Sequence, residues 1–231
     1  MAMSMPPPQS PQPPRKALLA GATGLVGSAL LPLLCDSATY SEVHVLVRRS
    51  VAGLAAHAKA RVHTVDFSRL PHDLPAVDDV YIALGTTIKV AGSRDAFRQV
   101  DFTFVVDTAR AARTRGATRL AVVSALGADA RSRIFYNRVK GDMQAAIATL
   151  GFESVTIAQP SLLVGDRAVL GQPVRAGEVW GERLFGAIRW LVPSGIRPVR
   201  ARDVAAAMLT ATVAGRPGVN VLSSAAMQSR G

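Results

Sequence analysis

A single cysteine among 231 residues leaves no internal disulfide and no cysteine cluster for a metal. Cys35 reads instead as a small buried hydrophobe in a reducing, cytoplasmic setting. His44, His57, His63 and His72 show no ligand spacing with other donors, so they read as surface or structural residues and no metal is expected. Aromatic residues make up only 5% of the chain, and no aromatic stacking platform is visible. Lysine is scarce too, so arginine carries nearly all of the basic excess behind the net charge of +11. Those arginines are scattered over different segments: Arg61, Arg69, Arg94, Arg110, Arg119, Arg175, Arg189 and Arg216. No basic helix results, and no specific nucleic-acid partner is expected; solvated faces that help attract an anionic ligand are the better reading. No apolar run approaches the ~20 residues of a membrane span, so no membrane partner is expected either. Internal repeats and a nucleophile-elbow pattern are both absent.

What is present is a chain with 49% hydrophobic residues, enough for a substantial core. Its length suits one α/β domain with a modest extension. Met1 to Pro14 is rich in proline and glutamine and reads as a disordered tail without the charged start and apolar centre of a secretion signal. From residue 15 onward, strand-like and helix-like segments alternate. Ala17–Ala20, Glu42–Arg48, Arg61–Val65, Asp79–Leu84, Arg119–Ser124 and Ser154–Ala158 read as strands. Gly24–Leu34, with Pro32 expected to end or kink it, and the longer Ser93–Arg115 and Ile134–Leu150 read as helices. The alternation predicts a doubly wound parallel sheet with right-handed crossovers. The two long helices offer surfaces for pairing across a two-fold axis, as in a homodimer. After Pro160 come an expected loop, Gly165–Gly177, an amphipathic helix, Glu178–Leu191, a helix Val204–Val213 capped by Asp203, and a last strand, Val219–Leu222.

The first strand enters the turn Gly21-Ala22-Thr23-Gly24-Leu25-Val26-Gly27 and leaves it as a helix. In that context Gly21 permits the sharp turn, Gly24 a close approach to a pyrophosphate, and Gly27 tight helix–strand packing. The helix N-terminus adds free N–H groups and a positive dipole end. Far downstream, Tyr136 and Lys140 lie at i and i+4 on one helix face, behind Ser124 at the carboxyl end of a strand. Ligands sit outside the carboxyl ends of strands in open α/β sheets, so Ser124 can reach the crevice of the glycine turn.

These residues, together with Leu84-Gly85-Thr86-Thr87, Val100-Asp101, Ser124-Ala125-Leu126-Gly127-Ala128-Asp129, Phe135-Tyr136, Lys140-Gly141 and Gln159-Pro160-Ser161, resemble the short-chain dehydrogenase/reductase superfamily. The glycine spacing is that of its extended and atypical, epimerase/dehydratase-like members. The other motifs resemble the Tat-interacting-protein oxidoreductase-like branch. The resemblance runs from about Lys16 to Val213. It implies a Rossmann-like domain over 15–231, with a small substrate-covering extension near 165–200.

It also implies a nicotinamide cofactor and a small-molecule substrate with a carbonyl or alcohol group. Tyr136 would act as general acid/base, with Lys140 one turn away to stabilise its phenolate and to bond the nicotinamide ribose. Ser124 would donate to the substrate oxygen. At the end of the second strand, where NAD sites usually place an acid, stand Arg48 and Arg49, which suit the 2′-phosphate of NADP; NAD is the weaker alternative. Asp66 and Phe67 would lie at the adenine, or else serve as a helix cap and a core aromatic. Leu84, Gly85, Thr86 and Thr87 would line the cofactor. Gln159 and Ser161 stand where relatives often carry Arg and Gly. Asp101 stands where many carry asparagine. Two alternatives remain open at this point: nucleotide-sugar epimerase or dehydratase chemistry on the same fold, and a regulatory protein that senses NADPH without turnover.

Overall fold

The computed structural model describes residues 13–164 and 197–228. The expected loop Gly165–Gly177, the expected helix Glu178–Leu191 and nearly all of the tail lie outside these residues.

Seven strands form one parallel sheet: β1 (Arg15–Ala20), β2 (Tyr40–Val47), β3 (Ala60–Thr64), β4 (Asp79–Ile82), β5 (Arg119–Val123), β6 (Ser154–Gln159) and, last in the chain, a strand over Gly218–Ser223. Their spatial order is β3-β2-β1-β4-β5-β6 followed by Gly218–Ser223. The order reverses beside β1, and the crevice of a doubly wound sheet opens at that reversal. Two short strands, β7 (Leu163–Val164) and β8 (Val199–Arg200), pair in parallel away from the main sheet; Gly218–Ser223 is accordingly β9.

Strand alternation sends side chains to two separate cores. Ala17 and Leu19 of β1 pack with Leu30 and Leu34 of α1 (Leu25–Asp36) and with Val204 and Met208 of a late helix, Ala201–Ala214. Leu18 and Ala20 turn the other way, toward Val105 and Ala109 of α4 (Phe104–Thr114) and Met143 and Ile147 of α5 (Phe135–Ala148). The sheet is therefore covered on both faces, as its near-continuous apolar strands require. No helix among the described residues is long and apolar enough to cross a membrane.

Three local expectations need correction. Of the two effects expected of Pro32, an end or a kink, the end is not found: α1 continues to Asp36. The ring removes one backbone bond, and the buried Leu30, Leu31 and Leu34 hold the helix against the sheet regardless. Asp203 does not cap the late helix; that helix starts at Ala201, and Asp203 lies in its first turn, where its charge suits the dipole. The expected Ser93–Arg115 helix is helical along its length but not uniformly α. A short helix, α2 (Ile88–Ala91), precedes it. Ser93 then accepts a bond from the Ala96 N–H at 3.0 Å and caps α3 (Arg94–Arg98). A π-helical turn over Gln99–Thr103 joins α3 to α4. Counting on, the helix Ala201–Ala214 is α6.

On β2 and β3, His44 Nδ1 lies 3.0 Å from His63 Nε2. Burial and the neighbouring His63 hold the His44 imidazole below its ordinary pKa, against a smaller opposing pull from Glu42. The folded chain thus resists a proton that the unfolded chain takes up near pH ~6.5. The stability this contributes is present above that pH and drains away as pH falls from there to the folded value. Melting curves between neutral and mildly acidic pH should show a larger fall in Tm for the native chain than for His44→Gln. Parallel losses would remove the histidine from the explanation.

Candidate functional site

The glycine turn is built by contacts as well as by conformation. Gly21 has φ +94°, and a Cβ there would lie 2.5 Å from the Ala83 carbonyl at the end of β4. A Cβ on Gly27 would overlap the Gly21 carbonyl. Gly24 differs: a Cβ would meet only ordinary contacts, at 3.4 and 3.7 Å. Among the described residues, the contacts at Gly24 do not by themselves require glycine. Gly24 caps α1 with no side-chain bond, and no acid stands in the first turn. The leading N–H groups of Leu25, Val26 and Gly27 and the positive dipole end are therefore left for an anion. This arrangement fits a dinucleotide pyrophosphate. Thr23, exposed, stands at the same turn.

Arg48 and Arg49 follow β2, which pairs directly with β1. Both are exposed, and neither guanidinium is held by a hydrogen bond or ion pair among the described residues. After β3, Asp66 Oδ1 accepts from the Ser68 N–H at 2.8 Å and the Ser68 hydroxyl at 2.7 Å. Those bonds hold its carboxyl below the usual carboxylate range. Phe67 is buried in the core, its ring centroid 6.0 Å from that of Phe104. Thr87 caps α2 by accepting from the Val90 N–H at 3.1 Å. Leu84, Gly85 and Thr86 lie between β4 and that cap, on the carboxyl edge of the sheet.

The π-helical turn places Asp101 directly beneath this segment. Its Oδ2 accepts from the Thr86 N–H at 2.8 Å, and its Oδ1 lies 2.7 Å from Lys140 Nζ. Both side chains are almost fully buried, at 1% and 4% exposure. Gly85 lies against the pair: a Cβ there would come to 3.4 Å from the carboxylate and 3.9 Å from Lys140 Nζ. Single π turns inside α-helices are frequent at functional sites, and this one aims a carboxylate at the lysine.

Tyr136, Lys140 and Gln144 lie at i, i+4 and i+8 on α5 and share one face. The half-buried Tyr136 ring packs against fully buried Phe97, with centroids 5.5 Å apart. Its hydroxyl has no hydrogen-bond partner among the described residues. Ser124, 4% exposed, follows β5, and its N–H extends the β5–β6 ladder to the Ala158 carbonyl at 2.7 Å. Gln144 Nε2 donates to Ser124 Oγ at 2.5 Å, and Gln159 Nε2 donates to Gln144 Oε1 at 3.2 Å. Ser161 turns elsewhere. Its hydroxyl donates to the Arg197 carbonyl at 2.5 Å and accepts from Ser224 at 2.9 Å, tying β6 to the C-terminal segment.

The structure thus links Ser124 to Gln159 through Gln144 at the ends of β5 and β6, ties Lys140 through Asp101 to Thr86 after β4, and leaves Tyr136 on the α5 face it shares with Lys140 and Gln144, while the glycine turn and the two arginines follow β1 and β2. Reading the sequence alone misses Gln144, although its spacing from Tyr136 and Lys140 puts it on the same face. It also misses the Asp101–Lys140 pair; no periodicity announces a π turn.

The profile of the NAD(P)H-binding family matches residues 21–162. The chain belongs to that family. Protein FMP52, mitochondrial, of Eremothecium gossypii is 37% identical over 152 residues, covering 65% of this chain and 67% of that one. Protein HTATIP2 of Rattus norvegicus is 30% identical over 178 residues, 75% of this chain and 72% of its own. Among solved structures, MoeE5 in complex with UDP-glucose and NAD superposes with a TM-score of 0.68 at 16% identity, over 90% of this chain and 75% of that one. Membership of the atypical short-chain dehydrogenase/reductase superfamily and the Rossmann-like NAD(P)-binding fold expected from the motifs are both borne out. The expected cytoplasmic location is not. The fungal family members from Eremothecium gossypii, Lodderomyces elongisporus, Candida albicans and Emericella nidulans are all named as mitochondrial proteins. A lone buried cysteine reports only a reducing environment, which does not single out the cytoplasm.

Proposed function

We propose that this chain is an NADP(H)-dependent oxidoreductase acting on a carbonyl or alcohol group. What supports the reading is Tyr136 one turn from the buried Lys140 on α5, with Ser124 at the end of β5 bonded to Gln144 on the same helix, in a chain whose glycine turn leads into an uncapped helix N-terminus.

Gly21 to Gly27 would hold the pyrophosphate, with the N–H groups of Leu25 and Val26 directed at it. Arg48 and Arg49 would fork onto a 2′-phosphate, which NADP carries and NAD lacks. When bound, the nicotinamide supplies the hydride. The rest is proton handling and charge stabilisation by the chain. Tyr136 donates its phenolic proton to the substrate oxygen in reduction and takes it back in oxidation. Ser124 donates to the same oxygen as negative charge grows there. Gln144 supports that role: by donating to Ser124 Oγ it occupies the oxygen as an acceptor and leaves the hydroxyl proton for the substrate. Lys140 would bond the ribose with the N–H groups not spent on Asp101. In this reading Asp66 forms its own turn with Ser68, Phe67 is core, and Thr87 and Ser161 serve structure.

The test is NADPH consumption against a panel of aldehydes, ketones and quinones, run beside binding titrations. Turnover on at least one class supports an enzyme. Tight NADPH binding with no turnover across the panel would support the sensor instead, and Ser124, Tyr136 and Lys140 would lose their assigned chemistry.

A further inference from the structure

The pairing of Asp101 with Lys140 changes what the lysine does to the tyrosine. A lone ammonium one turn from a phenol favours the phenolate. Here the ammonium is matched at 2.7 Å by a carboxylate with 1% exposure, and the carboxylate is fixed on its other oxygen by the Thr86 N–H. Resting on the reading of Tyr136 and Lys140 above, we propose that Asp101 is a positioning residue: it fixes Lys140 and cancels its charge, so that Tyr136 stays a phenol and the site is set to donate a proton to a carbonyl.

The other charges on the packed elements do not replace this control. On α5, Asp142 is paired with Arg98 of α3 at 2.7 Å, and Arg138 donates to the Ser132 carbonyl at 2.9 Å. Arg94 of α3 lies over the Phe135 ring, Asp129 in the loop after β5 binds the Arg131 N–H, and Asp95 of α3 and Lys89 of α2 are exposed. The carboxylate nearest Lys140 is that of Asp101.

The chain offers a direct readout without cofactor or substrate. It has three tyrosines. Tyr40 and Tyr81 share a buried network with Asp79 at the opposite end of the sheet, and burial pushes both phenols well above the ordinary range. The part of the tyrosinate absorbance that Tyr136→Phe removes from the alkaline titration of the folded protein assigns the signal of Tyr136. Asp101→Asn keeps an acceptor for the Thr86 N–H and removes the charge. Its tyrosinate midpoint should fall by about one pH unit, because the ammonium then acts unopposed. An unchanged midpoint overturns the proposal. The double variant Asp101→Asn/Lys140→Met removes both charges, and its midpoint should lie within about a few tenths of a pH unit of the native one. A rise of about one unit in the double variant would mean that Lys140 acts uncompensated in the native chain, which also overturns it. If the single variant does not fold, the double variant carries the test alone. A downward shift in Asp101→Asn from a protein that turns nothing over would leave the charge relation standing and sink only the oxidoreductase reading.

Discussion

Tyr136→Phe is expected to abolish turnover, by roughly 10²–10⁴-fold or more, while NADPH affinity stays nearly intact. In the proposed mechanism the phenol handles the substrate proton, and phenylalanine keeps the ring that packs on Phe97 at 5.5 Å. The fold should therefore survive the change, and any loss of activity reports chemistry. Lys140→Ala should behave differently and damage both turnover and binding. It removes the proposed ribose contact and strands a 1%-exposed carboxylate without its partner, which is itself destabilising by about 3–5 kcal/mol. Ser124→Ala should cost about 10²-fold in turnover with little effect on the cofactor. Steady-state kinetics for each variant, beside calorimetric titration with NADPH, separate these outcomes. A Tyr136→Phe protein as active as the native one would remove the proposed acid/base role.

The second large effect concerns cofactor choice. Replacing Arg48 and Arg49 together with alanine should weaken NADPH by roughly 10²–10⁴-fold, since each charge-assisted contact is worth about 1.5–3 kcal/mol. NADH binding should barely change, because the arginines would meet only a ribose hydroxyl. Neither arginine is engaged elsewhere among the described residues, so their loss should not disturb the fold. The native preference for NADPH should also narrow as salt is raised, because both guanidinium groups are exposed. Equal loss for the two cofactors would mean that the arginines serve general attraction and read no phosphate.

Much of this architecture is legible in the amino-acid sequence alone. Apolar strands of four to eight residues alternating with helical stretches specify a doubly wound sheet. The strand–turn–helix context around Gly21 locates the cofactor side of the crevice. The positions of Ser124 after a strand and of Tyr136 and Lys140 one turn apart on a helix are legible because strand ends and helix faces follow fixed periods. Legibility fails where packing overrides local pattern. Pro32 reads as a helix end or kink, yet α1 does not end there and runs on past it, its buried leucines packed on the sheet. Ser93–Arg115 reads as one helix, yet a π turn inserted at Gln99–Thr103 rotates Asp101 into contact with Lys140, far along the chain. Such a contact depends on the crossing of α5 with the turn, which no window of sequence records. Gln144 is readable in principle from its spacing, but an amide on a helix face has many bland uses until Ser124 is seen beside it.

The most direct test of the central claim follows the transferred atom. NADPH deuterated at the reactive carbon of its nicotinamide is incubated with the protein and the carbonyl panel, and products are examined by mass spectrometry. The account predicts one deuterium on the new carbinol carbon of at least one product, absent with Tyr136→Phe. NADPH bound at the site with no label on any product would contradict it.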